Sequence, residues 1–445
     1  MLSKLSKLFG LGRPRQRPHR SGTIQTGKSR RFVPQLETLE TREVLSPALC
    51  DNSFAFLVGT NTYKIPYQSN YRLDEPNDDV TRVIVAVHGI DRTAKSTYDD
   101  VLNAGQNLAA GADRTSLIVA PQFLNESDIA AYQLGNDYMF WNNGLWRDGG
   151  QSSSTVGPHG HFRPDNVSSF EVVDELLNSI VDSHNFSHLD TVIVSGHSAG
   201  GQFVQRYAAT SHLDLASQGL SVRYVTMNPG TYLYLDEHRW NPSTGTFDIP
   251  TGHDGYDNYP YGLGYVDTTL YPYIANLDAT TIRSQYAQRQ VIYIQGENDT
   301  STGGALDTSD PAMLEGANRF ERGSTYFNYL HYLQDYYGTE NLDFRSHVRE
   351  TVPGVGHDST GMYASSSALR WLFDYNPQFP RSQCVGTASS APSKPDASGF
   401  SVGPRAASSG TASRANAKPR ATRSIETRMC GIDPLIGISS SDDAP

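Results

Sequence analysis

Thr191, Val192, Ile193, Val194, Ser195, Gly196, His197, Ser198, Ala199, Gly200, Gly201, Gln202, Phe203, Val204, Gln205, Arg206 and Tyr207 carry a short β-branched run straight into a G-x-S-x-G and then into helical spacing. The five-residue pattern alone is a weak signal, so its flanks decide the reading. Val192 to Val194 have the composition of a buried strand, and Gln202, Phe203, Arg206 and Tyr207 begin a helix. A strand, a tight turn and a helix form a nucleophile elbow. The small residues Gly196 and Gly200 let the backbone turn sharply and lift the Ser198 hydroxyl clear of the sheet.

A serine hydroxyl is a poor nucleophile at neutral pH and needs a base to take its proton. In an elbow of this kind the partners follow in the order serine, acid, histidine. Among 13 histidines, His357 fits best, because Val352-Pro353-Gly354-Val355-Gly356-His357-Asp358 reads as an exposed loop after a final strand. His331 and His347 fall on apparent helix and strand interiors and read as buried structural histidines. For the acid, Asp299 in Gly296-Glu297-Asn298-Asp299 follows the run Val291 to Gln295 and is the leading candidate to orient the imidazole. Asp307, Glu297 and Asp236 are its rivals, and Asp358 reads as a helix N-terminal charge. Negative charge developing on a carbonyl oxygen needs donors already aimed at it. The backbone N–H of Ala199 is one, and the N–H of Ile90, in His88-Gly89-Ile90 after the run Arg82 to Val87, is the other.

The same rhythm extends outward. Runs at 82–87, 116–120, 191–194, 222–227 and 291–294 read as strands buried on both faces, and 98–109, 170–181 and 202–209 as helices between them. Phe54 to Val58 and Tyr63 to Tyr67 read as an antiparallel lead-in to the same sheet. From 229 to 286 the chain is dense in Tyr, Gly, Pro and Asp without a clear period, which predicts a lid or cap over a pocket.

Composition sets the domain limits. Residues 1–43 hold 10 Lys/Arg and 3 Asp/Glu and read as a basic, largely disordered leader. Residues 381–445 hold 8 and 5, are rich in Ser and Ala, and read as a disordered tail. The body, 44–380, holds 18 and 39, a net charge of −21. Such an acidic body excludes nucleic acid as its ligand, because phosphates would be repelled. Cys50, Cys384 and Cys430 make no paired framework; Cys50 and Cys384 flank the body and could form one bridge. No apolar run is long enough for a transmembrane segment, and Lys4 and Lys7 interrupt the only candidate signal-peptide core. His159 and His161 form an H-x-H without a third ligand and read as a plain loop, so no metal or cofactor is called for. Trp141 and Trp146, with Asn142 and Asn143, line either the core or a pocket, including a sugar site.

His88-Gly89, Gly196 to Gly200, Asp299 and His357 together resemble the α/β-hydrolase superfamily over about residues 54–375. Gly296 to Asp299, Gly316 to Gly323 and Val352 to Asp358 resemble, more narrowly, an uncharacterised microbial group of hydrolases within it. The resemblance implies an α/β fold with a mostly parallel eight-stranded sheet flanked by helices. It also implies a serine hydrolase that cleaves a small-molecule or polymeric carboxylic ester through an acyl-enzyme. An amidase, peptidase or acyltransferase on the same residues is a second reading, and a surface binding module on a hydrolase fold a third. Leu36-Glu37-Thr38-Leu39-Glu40-Thr41-Arg42 resembles the Leu-Glu-x-Leu-Glu-x-Arg segment near the N-terminus of exported proteins in one bacterial lineage, which implies an exported or cell-surface protein. Without that resemblance, the segment reads as a polar leader on a cytoplasmic one.

Overall fold

A strand apolar at every position can be stable only if both of its faces are covered. Val83, Val85 and Val87 enter one apolar core with Val192 and Val194, while Ile84, Ala86 and Ile193 enter a second on the opposite face. This period of two recurs in Val291 and Tyr293 against Ile292 and Ile294. The computed structural model describes residues 46–154 and 162–376, all within Met1–Val385, one of two units into which the chain divides. The leader 1–43, the tail 381–445, the H-x-H and Cys384 therefore lie outside the described residues.

Ten strands occur among the described residues: β1 (Asn52–Val58), β2 (Asn61–Ser69), β3 (Arg82–Val87), β4 (Ser116–Pro121), β5 (Thr191–His197), β6 (Ser221–Met227), β7 (Arg239–Asn241), β8 (Thr246–Asp248), β9 (Gln290–Gly296) and β10 (His347–Val352). Eight form one sheet in the order β1-β2-β4-β3-β5-β6-β9-β10, and β7 and β8 form a separate hairpin. β2 pairs antiparallel with β1 and β4, and the other pairings in the large sheet are parallel. The helices are α1 (Ala94–Asn103), α2 (Glu126–Ala131), α3 (Ser169–Asp182), α4 (Ala199–Thr210), α5 (Pro272–Ala275), α6 (Ala279–Gln288), α7 (Asp310–Met313), α8 (Arg319–Tyr336), α9 (Ser359–Tyr363) and α10 (Ser366–Phe373). α1, α9 and α10 cover one face of the sheet; α3, α4, α6 and α8 cover the other. This strand order, with its second strand reversed, is the α/β-hydrolase fold. None of the described helices is long and apolar enough to cross a membrane.

Neighbouring strands β3 and β5 feed helices on opposite faces, so their carboxyl ends open a crevice between diverging chains. Ser198 sits there as the residue before α4, with φ 61° and ψ −119°. Left-handed φ is costly for a residue with a Cβ and persists only where its surroundings over-determine it. The determinants are close backbone contacts. A Cβ on Gly200 would lie 2.1 Å from the Val87 carbonyl oxygen and 2.7 Å from that of His88. One on Gly201 would lie 2.6 Å from the Met227 oxygen.

Three expectations need correction. The helix expected over 98–109 starts earlier, at Ala94, and gives way at 104–108 to a wide π-type turn that contains Gly105. His331, expected to be buried, is exposed on α8 against Phe327, whereas His347 is buried as expected, between Tyr293 and the Tyr286 carbonyl. The third concerns the Tyr-rich segment 229–286, expected to be a lid. It contributes no residue to the pocket around Ser198. Tyr232, Leu233, Tyr234 and Leu235 are fully buried, and most of α6 lies within the segment as well. The physical reason is that a tyrosine ring buries well when its hydroxyl finds a partner. Tyr259 donates to the Asp148 carbonyl at 2.6 Å and Tyr273 to Asp174 at 2.6 Å. From α8, Tyr326 and Tyr329 reach back to the Leu233 carbonyl and Asp236.

Because the contacts at Gly200 are to backbone oxygens that cannot swing aside, Gly200→Ala should destabilise the protein by roughly 3 kcal/mol or more. Urea unfolding checks this, and an unchanged midpoint would show that the β3–α4 contact is looser than described.

Candidate active site

Each of the three expected side chains leaves the carboxyl end of a different strand. Ser198 follows β5, Asp299 lies three residues past β9, and His357 lies five past β10. Strand order brings them together: β5, β6, β9 and β10 are consecutive in the sheet. His357 Nε2 lies 2.9 Å from Ser198 Oγ, and His357 Nδ1 lies 2.7 Å from Asp299 Oδ2. Asp299 is buried, whereas about 29% of the His357 side chain is exposed, so the imidazole faces the cleft. The rivals are engaged elsewhere. Asp307 accepts from Tyr261, Glu297 from Thr351, and Asp236 binds His238 and Tyr329. Asp358 caps α9 by accepting from the Gly361 N–H.

Loop contacts hold Asp299 and His357 in register. The Asn298 N–H donates to Val355 O at 2.9 Å and that of Glu297 to Val352 O at 3.1 Å, tying the two loops together. Asn228, just past β6, accepts from the Gly296 N–H at 2.8 Å and donates to the Gly356 carbonyl at 3.1 Å. On the other side, Asp100 of α1 accepts from Ser359 and Thr360 at 2.7 and 2.8 Å. Behind Asp299, Arg319 Nη1 approaches Oδ1 at 3.7 Å, and both groups are buried. The imidazole of His197 packs on that of His357 with centroids 4.7 Å apart. Burial, with His357 and Arg319 nearby, pushes the His197 pKa down to about 3, so this ring stays neutral beside its neighbour.

The sequence reading assigned no role to Asn228, Asp100, Arg319 or the His88 side chain. A signal existed for Asn228, which ends a strand at Met227-Asn228-Pro229, but nothing local to Asp100 or Arg319 marks them out.

His88 explains the geometry of the loop after β3. Its Nδ1–H donates to the Gly89 carbonyl at 2.9 Å, and its Nε2 accepts from the Phe123 N–H at 3.0 Å. The Arg92 N–H donates to the same Gly89 oxygen at 3.1 Å. In a trans peptide the N–H lies opposite the C=O. The Ile90 N–H is therefore directed away from the buried imidazole. Gly89 lies against Ser198, since a Cβ there would be 4.0 Å from that of Ser198. The Ala199 N–H is the first of α4 and has no carbonyl one turn earlier within the helix. Gly89, Ile90, His197, Ser198 and His357 all line one pocket of about 390 Å³.

No protein-family model matches the sequence, and no curated protein sequence matches it. Among solved structures, the chain is similar to a poly(aspartic acid) hydrolase-1 from Sphingomonas sp. KT-1, at 22% identity and a TM-score of 0.47, covering 74% of this chain and 100% of that one. It is also similar to a poly(3-hydroxybutyrate) depolymerase from Bordetella parapertussis, at 21% identity and a TM-score of 0.49, covering 75% and 94%. A third is an S-formylglutathione hydrolase from Agrobacterium tumefaciens, at 13% identity and a TM-score of 0.37, covering 73% and 94%. The fold stated above rests on the strand order of this chain and not on these likenesses.

Burial holds the His88 pKa down to about 4, against 6.5 for a free histidine. Between those values the unfolded chain takes up a proton that the native state refuses. The stability that depends on neutral His88 is therefore complete above pH 6.5 and declines by about 1.4 kcal/mol per unit as pH falls toward 4. His88→Gln removes this titration. Its deficit relative to wild type should narrow by about 2 kcal/mol between pH 7.5 and 5 in urea unfolding. A deficit independent of pH would mean that His88 is not held neutral.

Proposed function

We propose that the chain is a serine hydrolase that cleaves a carboxylic ester through an acyl-enzyme. The observation that carries this reading is the continuous hydrogen-bonded path from Asp299 through His357 to Ser198, at the mouth of the β3–β5 crevice. His357 Nε2 is within reach of the Ser198 proton and removes it as Oγ attacks the carbonyl carbon. The N–H groups of Ile90 and Ala199 stabilise the oxygen as it becomes negative. His357 then returns the proton to the departing alkoxide, which leaves Ser198 acylated. In the second half, water enters, His357 takes its proton, and hydroxide attack on the acyl-serine releases the acid and restores Ser198. Asp299 accepts from Nδ1–H throughout, which fixes the tautomer that leaves Nε2 free and offsets the positive charge of the imidazolium.

A fluorophosphonate probe should label the wild-type protein and not Ser198→Ala. Labelling that survives the substitution would move the nucleophile elsewhere. Asp299→Asn preserves shape but forces the wrong tautomer, so turnover of p-nitrophenyl acetate should fall by about 10⁴. Asp307→Asn should leave it within a few-fold, and the opposite pattern would transfer the acid role to Asp307.

A further inference from the structure

The Ser198 pocket does not end at the nucleophile. Ile90, whose N–H is the proposed oxyanion donor, also lines a second cavity of about 400 Å³, so the two cavities adjoin at that residue and form the two arms of one cleft. Beside Ser198 the first arm is walled by Thr93, Ser96, Thr97, Asp100, Ser359 and Thr360. The second is walled by Arg92, Asn125, Glu126, Asn142, Asn143 and Gly144. Ile90 and Ala305 are the only aliphatic side chains longer than hydrogen in either lining. Trp141 and Trp146 lie beneath the second arm but are buried in the core, so their rings offer little open face.

An alkyl chain gains about 0.8 kcal/mol per methylene only when it leaves water for an apolar wall. Against the walls of the second arm it would strip water from amides and a carboxylate with nothing in exchange. Charge narrows the ligand further. The one arginine in the lining, Arg92, directs Nε and Nη2 at the buried Asp128, at 2.7 and 3.2 Å. Its charge is thereby matched, and Asp91 and Glu126 are acidic residues of the same linings. An anionic ligand finds no unmatched cation here. Hydroxyl groups, which both donate and accept, suit the Asn143 amide and the Glu126 carboxylate. Asn142 holds that carboxylate with an N–H at 3.4 Å and accepts from the Glu126 N–H at 3.3 Å.

We infer that the two-armed cleft takes the ester of a neutral, hydroxyl-rich molecule, an O-acylated saccharide or comparable polyol, with Glu126 and Asn143 as specificity-determining residues. The inference rests on the ester-hydrolase reading above and names its substrate class. It also explains the juxtaposition of Trp141, Trp146, Asn142 and Asn143: the tryptophans build the floor, Asn142 holds Glu126, and Asn143 is left for the ligand.

The test compares kcat/KM for mono-O-acetylated xylobiose, p-nitrophenyl acetate, p-nitrophenyl octanoate and the anionic p-nitrophenyl hemisuccinate. The acetylated disaccharide should exceed the octanoate and the hemisuccinate by at least about tenfold. Loss of one or two hydrogen bonds in Glu126→Leu and Asn143→Leu should lower the ratio of disaccharide to p-nitrophenyl acetate by about tenfold each. A preference for the octanoate or the hemisuccinate, or a ratio unmoved by both substitutions, overturns the inference while the ester-hydrolase reading stands on the p-nitrophenyl acetate rate. Absence of turnover on every ester, with no fluorophosphonate labelling of Ser198, overturns both.

Discussion

Close contact between backbone and backbone at the end of β5 is the constraint from which the rest of the site follows. The turn at Ser198 brings α4 so near to β3 and β6 that the carbonyls of Val87, His88 and Met227 occupy the space where side chains at 200 and 201 would begin. Only glycine tolerates that approach. Once α4 is docked there, Ser198 cannot relax to an ordinary φ without pulling the helix off the sheet. The Ser198 N–H donates to the Met227 carbonyl at 2.9 Å, which ties the strained residue to the neighbouring strand as well. Three adjacent strands thus dictate where one hydroxyl points.

The contact that fixes the serine also sets the loop opposite it. The Val87 and His88 carbonyls that crowd Gly200 belong to the end of β3, and the chain turns outward directly after them. His88 anchors that turn from below, through a buried imidazole wedged among Phe123 and Trp146. Arg92 anchors it from above by reaching Asp128, the residue that completes the N-terminal cap of α2. Neither anchor touches Ser198. Their effect is to remove freedom from the Gly89–Ile90 peptide before a substrate arrives, and the same logic governs Asn228 and Asp100 around His357. A group held in place beforehand loses no orientational entropy at the moment of reaction.

Much of this was legible in the sequence where local chemistry leaves one solution. The parallel strands were readable because a run such as Arg82 to Val87 has no polar face to give to water, and the elbow because Gly196, Ser198 and Gly200 stand between a strand and a helix. The choice of acid was harder. Asp299, Glu297, Asp307 and Asp236 are all loop carboxylates after strands, and they differ only in partners brought from elsewhere: His357, Thr351, Tyr261 and His238. Such partners are set by strand order, which spacing along the chain does not encode. The Tyr-rich segment was misread for a related reason. A tyrosine is equally at home in a wet cleft and in a dry core with a hydroxyl partner, and Asp148 and Asp174 supply those partners from distant parts of the chain. His331 and His347 both lie in regular elements, yet only the face each presents to its neighbours separates an exposed ring from a buried one.

Arg319 shows how the fold balances a charge that it has buried. Asp299 is almost fully out of water, where a carboxylate is costly unless it is paired and hydrogen-bonded. One of its oxygens meets the His357 N–H at 2.7 Å, and the other faces the Arg319 guanidinium at 3.7 Å without a hydrogen bond. The two contacts have different strengths by design of distance. The shorter one holds the imidazole in place; the longer one brings a cation near the other oxygen. Arg319 opens α8, and the Phe320 N–H donates to the Asp299 carbonyl at 3.2 Å, which ties the start of that helix to the loop that carries Asp299.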